Sequence, residues 1–287
     1  MAKIAVVTDS NSGIVREEAE SLGVHLIPMP FFIDDEVFFE GINLSHEQFY
    51  DKLKNEHDIK TSQPSPEDVM KTWDDALRDN DSVVYIPMSS GLSSSWQTAH
   101  MLAEDYDGRV EVVNNQRISV TQRRSVLDAL NLARAGKSAA EIREILERTK
   151  FDSSIFITLD TLKYLKRGGR ITPAAAAIGT VLNLKPVLEI RGEKLDACAK
   201  VRGKAAALNT MIGAMKKELE EKYAGSSLAE LDIEVAYSEF GDEASEWKVR
   251  VEEEFGVECY HAPLSLSVAC HIGPGALAIT CTKKLKI

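Results

Sequence analysis

Residues 82–96 read SVVYIPMSSGLSSSW, and this stretch decides the fold class. After Ser82, residues 83–88 form a continuous apolar run, so residues 82–88 are predicted as a strand buried on both faces. A helix is predicted to follow over residues 93–106, after a turn of glycine and serine. A buried strand that leads into a helix is the repeating unit of a parallel α/β sheet.

The same alternation runs through the rest of the first half of the chain. Further strands are predicted at residues 3–7, 24–30 and 109–114, a hairpin at residues 31–41 around Asp34-Asp35, and helices at residues 45–55, from residue 65 onward, at 119–135 and at 138–150. This order predicts an N-terminal three-layer domain, in which helices cover both faces of a parallel sheet.

The second half changes pattern near residue 150. Strands are predicted at residues 154–159, 233–237, 257–260 and 276–282, a hairpin at residues 188–201, and helices at residues 204–222 and 244–255. The hairpin requires an antiparallel pair, so this sheet should be mixed. At ~150 residues per domain, the 287 residues correspond to two α/β domains, residues 1–150 and 151–287.

Two helix starts carry capping signals. Ser45 is predicted as an N-cap without a strict capping box, because Glu47 stands two rather than three residues after it. Ser65 is predicted as an N-cap, with Pro66 at the first helical position.

Composition excludes several classes of protein. Apolar residues make up 44% of the chain, which excludes a disordered protein. The net charge of 34 − 45 = −11 disfavours nucleic acid as a partner. Prolines and polar residues interrupt the longest apolar stretch, residues 171–190, so no membrane insertion is expected.

The N-terminus and the cysteines predict a cytoplasmic protein. The opening sequence MAKIAVVTDS resembles a first strand rather than a signal peptide. No cysteine belongs to a CxxC pair, which favours buried thiols in a reducing compartment over a disulfide or zinc framework. The four cysteines are Cys198, Cys259, Cys270 and Cys281.

Two segments of the first half offer hydrogen-bond donors for an anion. Small hydroxyl residues around Ser93 stand at a predicted helix start, where free N–H groups favour negative charge. The same serines could instead only cap the helix. A nucleophile elbow fails, since Ser95 stands where G-x-S-x-G needs glycine. In TSQPS at residues 61–65, Thr61 and Ser62 add two hydroxyls and Gln63 adds an amide. The segment could instead be a plain helix entry with Ser65 as its cap.

Two segments of the second half offer charged or titratable groups. Arg167-Gly168-Gly169-Arg170 is either an arginine turn for a carboxylate or phosphate, or the capped end of a helix. His271 is predicted on a glycine-shaped loop before the last strand, titrating near neutrality. G-x-G-x-x-A at residues 273–278 fails as a dinucleotide motif, because only nine residues follow it. No complete triad, nucleotide loop or metal spacing appears, so neither catalysis nor a metal is predicted.

Five segments in order resemble the DegV family. They are Thr8-Asp9-Ser10, TSQPS at residues 61–65, SSGLSSSW at residues 89–96, LKRGGRI at residues 165–171 and HIGPGALAI at residues 271–279. The family commonly has SSGLSGTY where this chain has SSGLSSSW.

The resemblance implies a two-domain protein that holds one long-chain fatty acid between its domains. It implies a non-catalytic lipid-binding subunit, which presents the acid to a separate ATP-binding kinase subunit for acyl-phosphate formation. Thr61 and Ser93 would bind the carboxylate, whereas Arg170 and His271 would lie near the head group and assist phosphoryl transfer. No cofactor is implied besides the fatty acid. Residues 174–178, Val181, Leu182 and Leu184 could line the tail, although an ordinary core has the same composition.

Two alternatives remain from the residues themselves. One is a serine-dependent acyl hydrolase that uses Ser93 with one of the six histidines as base. The other is a module that binds a small phosphate or sugar phosphate.

Overall fold

The computed structural model describes residues 2–177 and 184–286 and divides them into two compact units. Unit 1 runs to Phe151 and also includes Ser265–Ser267 and the end of the chain from Leu285. Unit 2 comprises Asp152–Leu264 and Val268–Lys284. Each unit contains a sheet and helices, as the sequence predicts.

Unit 1 contains a parallel sheet, a small antiparallel sheet and helices. Its strands are β1 (Ile4–Asp9), β2 (Val24–Ile27), β3 (Pro30–Ile33), β4 (Glu36–Phe39), β5 (Ile59–Thr61), β6 (Ser82–Ile86) and β7 (Val110–Val112). Its helices are α1 (Arg16–Leu22), α2 (His46–Lys54), α3 (Pro66–Leu77), α4 (Ser95–Ala103), α5 (Ser119–Arg134) and α6 (Ala139–Arg148).

The parallel sheet of unit 1 has the strand order β2-β1-β6-β7. Successive side chains of a strand point to opposite faces. Val6 accordingly packs in a core cluster with residues of α5 and α6, whereas Val7 packs in a second cluster with Trp73 of α3 and Ala99 of α4. Helices therefore cover both faces, and the three-layer prediction is confirmed.

The antiparallel sheet of unit 1 has the order β4-β3-β5. Asp34 and Asp35 form the predicted hairpin turn, with φ angles of 50° and 67°. Ser45 begins α2, but the prediction that it lacks a capping box is wrong. Gln48 is the third helical residue, and its side chain accepts from the Ser45 N–H while the Ser45 hydroxyl accepts from the Gln48 N–H. Glutamine completes this motif as well as glutamate does.

Unit 2 contains a six-stranded mixed sheet. Its strands are β8 (Ser153–Thr158), β9 (Leu184–Ile190), β10 (Asp196–Arg202), β11 (Leu231–Tyr237), β12 (His261–Pro263) and β13 (Leu277–Lys283). The helices of the second half are α7 (Lys163–Gly168), α8 (Pro173–Ala176), α9 (Lys204–Glu221), α10 (Asp242–Phe255) and α11 (Leu266–Ile272).

The strand order of this sheet is β10-β9-β8-β13-β11-β12. Among the pairs of strands within residues 153–177 and 184–283, only β11–β12 is parallel, so the predicted mixed sheet is confirmed. Met211 of α9 and Trp247 of α10 pack with Phe156 and Ile279 on one face. The strand predicted at residues 257–260 is wrong, because β12 begins only at His261.

The structure changes one prediction about the cysteines. Cys198 is exposed on β10, so the prediction of buried thiols fails at this position, whereas the other three cysteines are buried. Among residues 2–177 and 184–286, no helix combines the length and apolar character that a membrane span needs.

Candidate functional site

The order of the parallel strands in unit 1 reverses between β1 and β6, where ligands of α/β sheets commonly bind beyond the strand ends. Asp9, the last residue of β1, forms hydrogen bonds with both of the segments that follow these two strands. Its carboxylate accepts from the N–H groups of Asn11 (3.0 Å) and Met88 (2.8 Å) and from the amide of Gln122 (3.2 Å). Asp9 is fully buried, and burial raises its pKa. This residue of the first motif therefore fixes the shape of the site.

The segment after β6 carries Ser93, which is half-buried just before α4. The Ser93 N–H donates to the carbonyl of Ser89 at 3.1 Å. The Ser93 hydroxyl oxygen accepts from the N–H of Ser95 at 3.2 Å and from the hydroxyl of Ser95 at 3.0 Å. Ser93 thus caps the first N–H of the helix, as the capping interpretation expects, and keeps a hydroxyl proton.

The TSQPS segment lies beside the start of α4. Thr61 is the last residue of β5 and is half-buried. Two residues later, the Gln63 Oε1 accepts from the hydroxyls of Ser94 (3.2 Å) and Thr98 (3.1 Å). Ser65 then caps α3, as predicted. Gln63 therefore joins the segments that carry the two predicted carboxylate ligands.

In unit 2, the arginine turn and the histidine segment come together at the end of α7. Gly169 ends this helix in the left-handed conformation, with a φ of 68°. The Arg170 Nη1 donates to the carbonyl of Gly168. A Cβ atom at Gly168 would lie 2.9 Å from the Cε1 of His271 and closer still to its Nδ1. Only glycine lets α7 approach the imidazole this closely.

His271 is uncharged at neutral pH. Burial, and secondly the charge of Arg170, lower its pKa to about 4. The prediction that it titrates near neutrality is therefore wrong, because it assumed a solvated ring. The predicted loop position is also wrong, since His271 lies in the last turn of α11.

The glycines of the HIGPGALAI segment form the loop between α11 and β13. Gly273 and Gly275 have φ angles of 84° and 73°. A Cβ atom on Gly273 would lie 2.6 Å from the Cε2 of Tyr164, and one on Gly275 would lie 2.7 Å from the Cγ of Asp160. The loop is therefore shaped by close contacts with α7 itself, through Tyr164, and with the segment that precedes it, through Asp160.

The serine-hydrolase alternative gains no support from unit 1. Within its described residues, no histidine hydrogen-bonds to Ser93, so no general base is positioned there. His100 of α4, the helix that follows Ser93, instead stacks on Trp96 with ring centroids 5.1 Å apart. Over residues 2–177 and 184–286, no group of three or more metal-binding side chains is found.

Sequence reasoning missed two residues of the site. The sequence predicts Gln63 only as one of the donors of its segment, whereas in the structure its Oε1 accepts from two residues at the start of α4. Ser95 enters the sequence analysis only because the elbow motif needs glycine at its position. Its place two residues after Ser93 at a helix start is a signal for the hydrogen bonds that it donates to Ser93. Of the expected tail-lining residues, Ala175 is buried and Leu184 half-buried, whereas residue 178, Val181 and Leu182 lie outside the described residues.

Two solved structures resemble this chain along almost its entire length. A structure described as fatty acid binding of a DegV family protein from Thermus thermophilus is 30% identical, with a TM-score of 0.88 over 98% of this chain and 99% of that chain. DegV from Bacillus subtilis, described as a fatty acid binding protein, is 27% identical, with a TM-score of 0.85 over 99% of this chain and 100% of that chain.

Sequence comparisons agree with the structural ones. A DegV domain-containing protein from Deinococcus radiodurans is 31% identical over 283 residues, which cover 96% of this chain and 97% of the relative. The model of the DegV family, described as uncharacterised, matches residues 3–284. Because the match spans both units and all five motifs, the chain belongs to the DegV family.

Proposed function

We propose that this chain binds one long-chain fatty acid and presents its carboxylate to a separate ATP-dependent kinase subunit, which forms an acyl phosphate. The observation that carries the proposal is the full-length likeness to the fatty-acid-binding protein from Thermus thermophilus. Residues 1–150 supply the carboxylate-binding loops in this proposal, and residues 151–287 cover the acyl chain. Because the kinase subunit uses ATP, the protein acts in the cytoplasm.

Thr61 and Ser93 are the proposed carboxylate ligands. A buried carboxylate is costly unless donors replace its water, and hydrogen bonds to an ion are stronger than those between neutral groups. The joining of their segments by Gln63 supports a shared role. A fatty acid of ~16 carbons offers ~12 kcal/mol of gross transfer free energy from its tail, at about 0.8 kcal/mol per buried CH₂.

Arg170 and His271 are the proposed groups near the head group that assist phosphoryl transfer. Arg170 supplies a permanent charge for phosphate oxygens. His271, neutral at pH 7, can donate one hydrogen bond and accept another. A charged arginine beside a neutral imidazole suits a site that handles an anion without holding two positive charges.

Native mass spectrometry of the purified protein, followed by extraction of its lipids, tests the proposal. We expect one fatty acid per chain. Thr61→Ala and Ser93→Ala should each weaken binding by ~1–3 kcal/mol, because a buried charge loses a donor. Ser90→Ala is the matched control, since the Ser90 hydroxyl donates to Asn114 instead. A protein that arrives empty and takes up no added fatty acid would refute the proposal.

The phosphotransfer roles need a second assay. Arg170→Ala and His271→Ala should leave fatty acid binding nearly unchanged and reduce acyl-phosphate formation by an added kinase subunit. Loss of binding in both variants would instead assign them to the carboxylate site. Labelling by a fluorophosphonate that disappears in Ser93→Ala would favour the hydrolase, and affinity for small phosphates would favour the phosphate module.

A further inference from the structure

The three consecutive serines at the start of α4 differ in where their hydroxyl protons go. The Ser94 hydroxyl donates to the Gln63 Oε1, and the Ser95 hydroxyl donates to the Ser93 Oγ. No described residue of unit 1 accepts from the hydroxyl of Ser93. Of the three hydroxyl protons, the proton of Ser93 is therefore the one that a ligand can accept.

The oxygen of Ser93 is saturated as an acceptor. A serine hydroxyl has one proton and two acceptor sites. The N–H and the hydroxyl of Ser95 occupy both acceptor sites, at 3.2 Å and 3.0 Å. The Ser93 Oγ therefore cannot accept a hydrogen bond from a ligand, but the Ser93 hydroxyl can donate one to it.

The burial of Ser95 stabilises the two hydrogen bonds that it donates to the Ser93 Oγ. This residue is buried, with 5% of its surface exposed, so water competes little for its hydroxyl proton. Chained hydrogen bonds also polarise one another, so donation from Ser95 strengthens donation from Ser93.

We infer that Ser95 is a positioning residue, which fixes Ser93 as a donor and makes the site select an ionised fatty acid over a neutral lipid of equal length. A carboxylate has only acceptors and matches a hydroxyl that can only donate. A fatty alcohol both donates and accepts, and its weaker acceptor gains less from the chain of hydrogen bonds. This inference rests on the proposed function.

Binding of palmitate and of hexadecanol to the delipidated full-length protein tests the inference, by displacement of a fluorescent fatty acid. Ser95→Ala should weaken palmitate binding by about five- to tenfold. Hexadecanol affinity should change by less than about twofold, because it depends little on a charge-assisted bond. Ser95→Thr keeps both donors and should restore palmitate affinity, whereas Ser95→Val, equal to threonine in shape, should not.

A double-mutant cycle separates this role from a merely structural one. If Ser95 acts through Ser93, Ser95→Ala should cause no further loss of palmitate affinity in a Ser93→Ala background. Additive losses, equal losses for both ligands, or unchanged palmitate affinity in Ser95→Ala and Ser95→Val would overturn the inference. If the wild type binds neither ligand, the proposed function fails as well. If it binds palmitate and only the Ser95 variants behave like wild type, the proposed function stands and the inference alone falls.

Discussion

An alanine at position 168 would collide with the imidazole of His271. Its Cβ atom would lie 2.9 Å from the Cε1 atom and nearer to the Nδ1 atom, closer than packed side chains allow. The backbone of Gly168 lies outside the left-handed region, so alanine causes no backbone strain. The expected response is movement of the ring away from α7 and toward solvent.

The pKa of His271 reports this movement. Burial, with the charge of Arg170, holds it at about 4, below the ordinary value of 6.5. This difference corresponds to about 3 kcal/mol between the neutral and protonated forms. As pH falls, His271 of the unfolded chain binds a proton near pH 6.5, whereas His271 of the folded protein binds one only near pH 4. The free energy of unfolding therefore decreases as pH falls from 6.5 toward 4, and His271 has no effect on it above that range. A solvated ring in Gly168→Ala should titrate near 6.5 and lose this dependence.

The net stability of Gly168→Ala at pH 7 follows from two opposing effects. Alanine is favoured over glycine in a helix by at most about 1 kcal/mol. Overpacking costs about 1–3 kcal/mol. We therefore expect a free energy of unfolding lower by at most about 3 kcal/mol, which is less than the stability of a typical domain, so the variant remains folded for the titration.

Proton NMR of the histidine Hε1 signals measures the pKa, and a His271→Gln variant assigns the resonance. In the wild type the signal should not shift above about pH 5, because a group with a pKa near 4 is neutral there. Gly213→Ala is the control, since a Cβ atom there meets nothing within 4 Å. A wild-type His271 that titrates near its ordinary value, or a titration unchanged by Gly168→Ala, would refute the reasoning.

Three further predictions test other parts of the fold. Gly273→Ala should lower the free energy of unfolding by about 2 kcal/mol or more in urea titrations, because it adds left-handed strain to a clash with Tyr164; full stability would contradict the described loop. Ser45→Ala should cost about 1 kcal/mol in the same assay, and more than Ser94→Ala, whose side chain makes no capping bond. Only Cys198 should react rapidly with Ellman's reagent in the native protein, and all four thiols in denaturant. Burial raises the pKa of the remaining thiols to about 12 at Cys259, Cys270 and Cys281.

Much of the fold was predictable because burial leaves a recognisable pattern of apolar residues in the sequence. The run at residues 82–88 became β6, since a strand with helices on both faces must be apolar at successive positions. The mixed sheet followed from one hairpin signal, which the β9–β10 pair confirms. The capping box of α2 was also predictable, because Gln48 stands three residues after Ser45.

Other features depend on contacts that local sequence does not encode. α11 has only seven residues and runs into Gly273, so its sequence favours a loop, although it folds as a helix. Its start is fixed by a distant partner, since the Ser267 hydroxyl donates to the Asn11 Oδ1 at 2.5 Å. The pKa of His271 likewise depends on burial and on Arg170, which lies 101 positions earlier in the chain.

The state of the Ser93 hydroxyl bears on the choice between the proposed binding function and the hydrolase alternative. A nucleophilic serine needs a base that takes its proton and an electron pair that can attack. Both acceptor sites of Ser93 are occupied by Ser95, and no histidine of the described part of unit 1 accepts its proton. These two hydrogen bonds make the Ser93 oxygen a weaker nucleophile. They also make its hydroxyl a stronger hydrogen-bond donor. A serine held in this way can bind a carboxylate without attacking it, which is what the proposed function requires of Ser93.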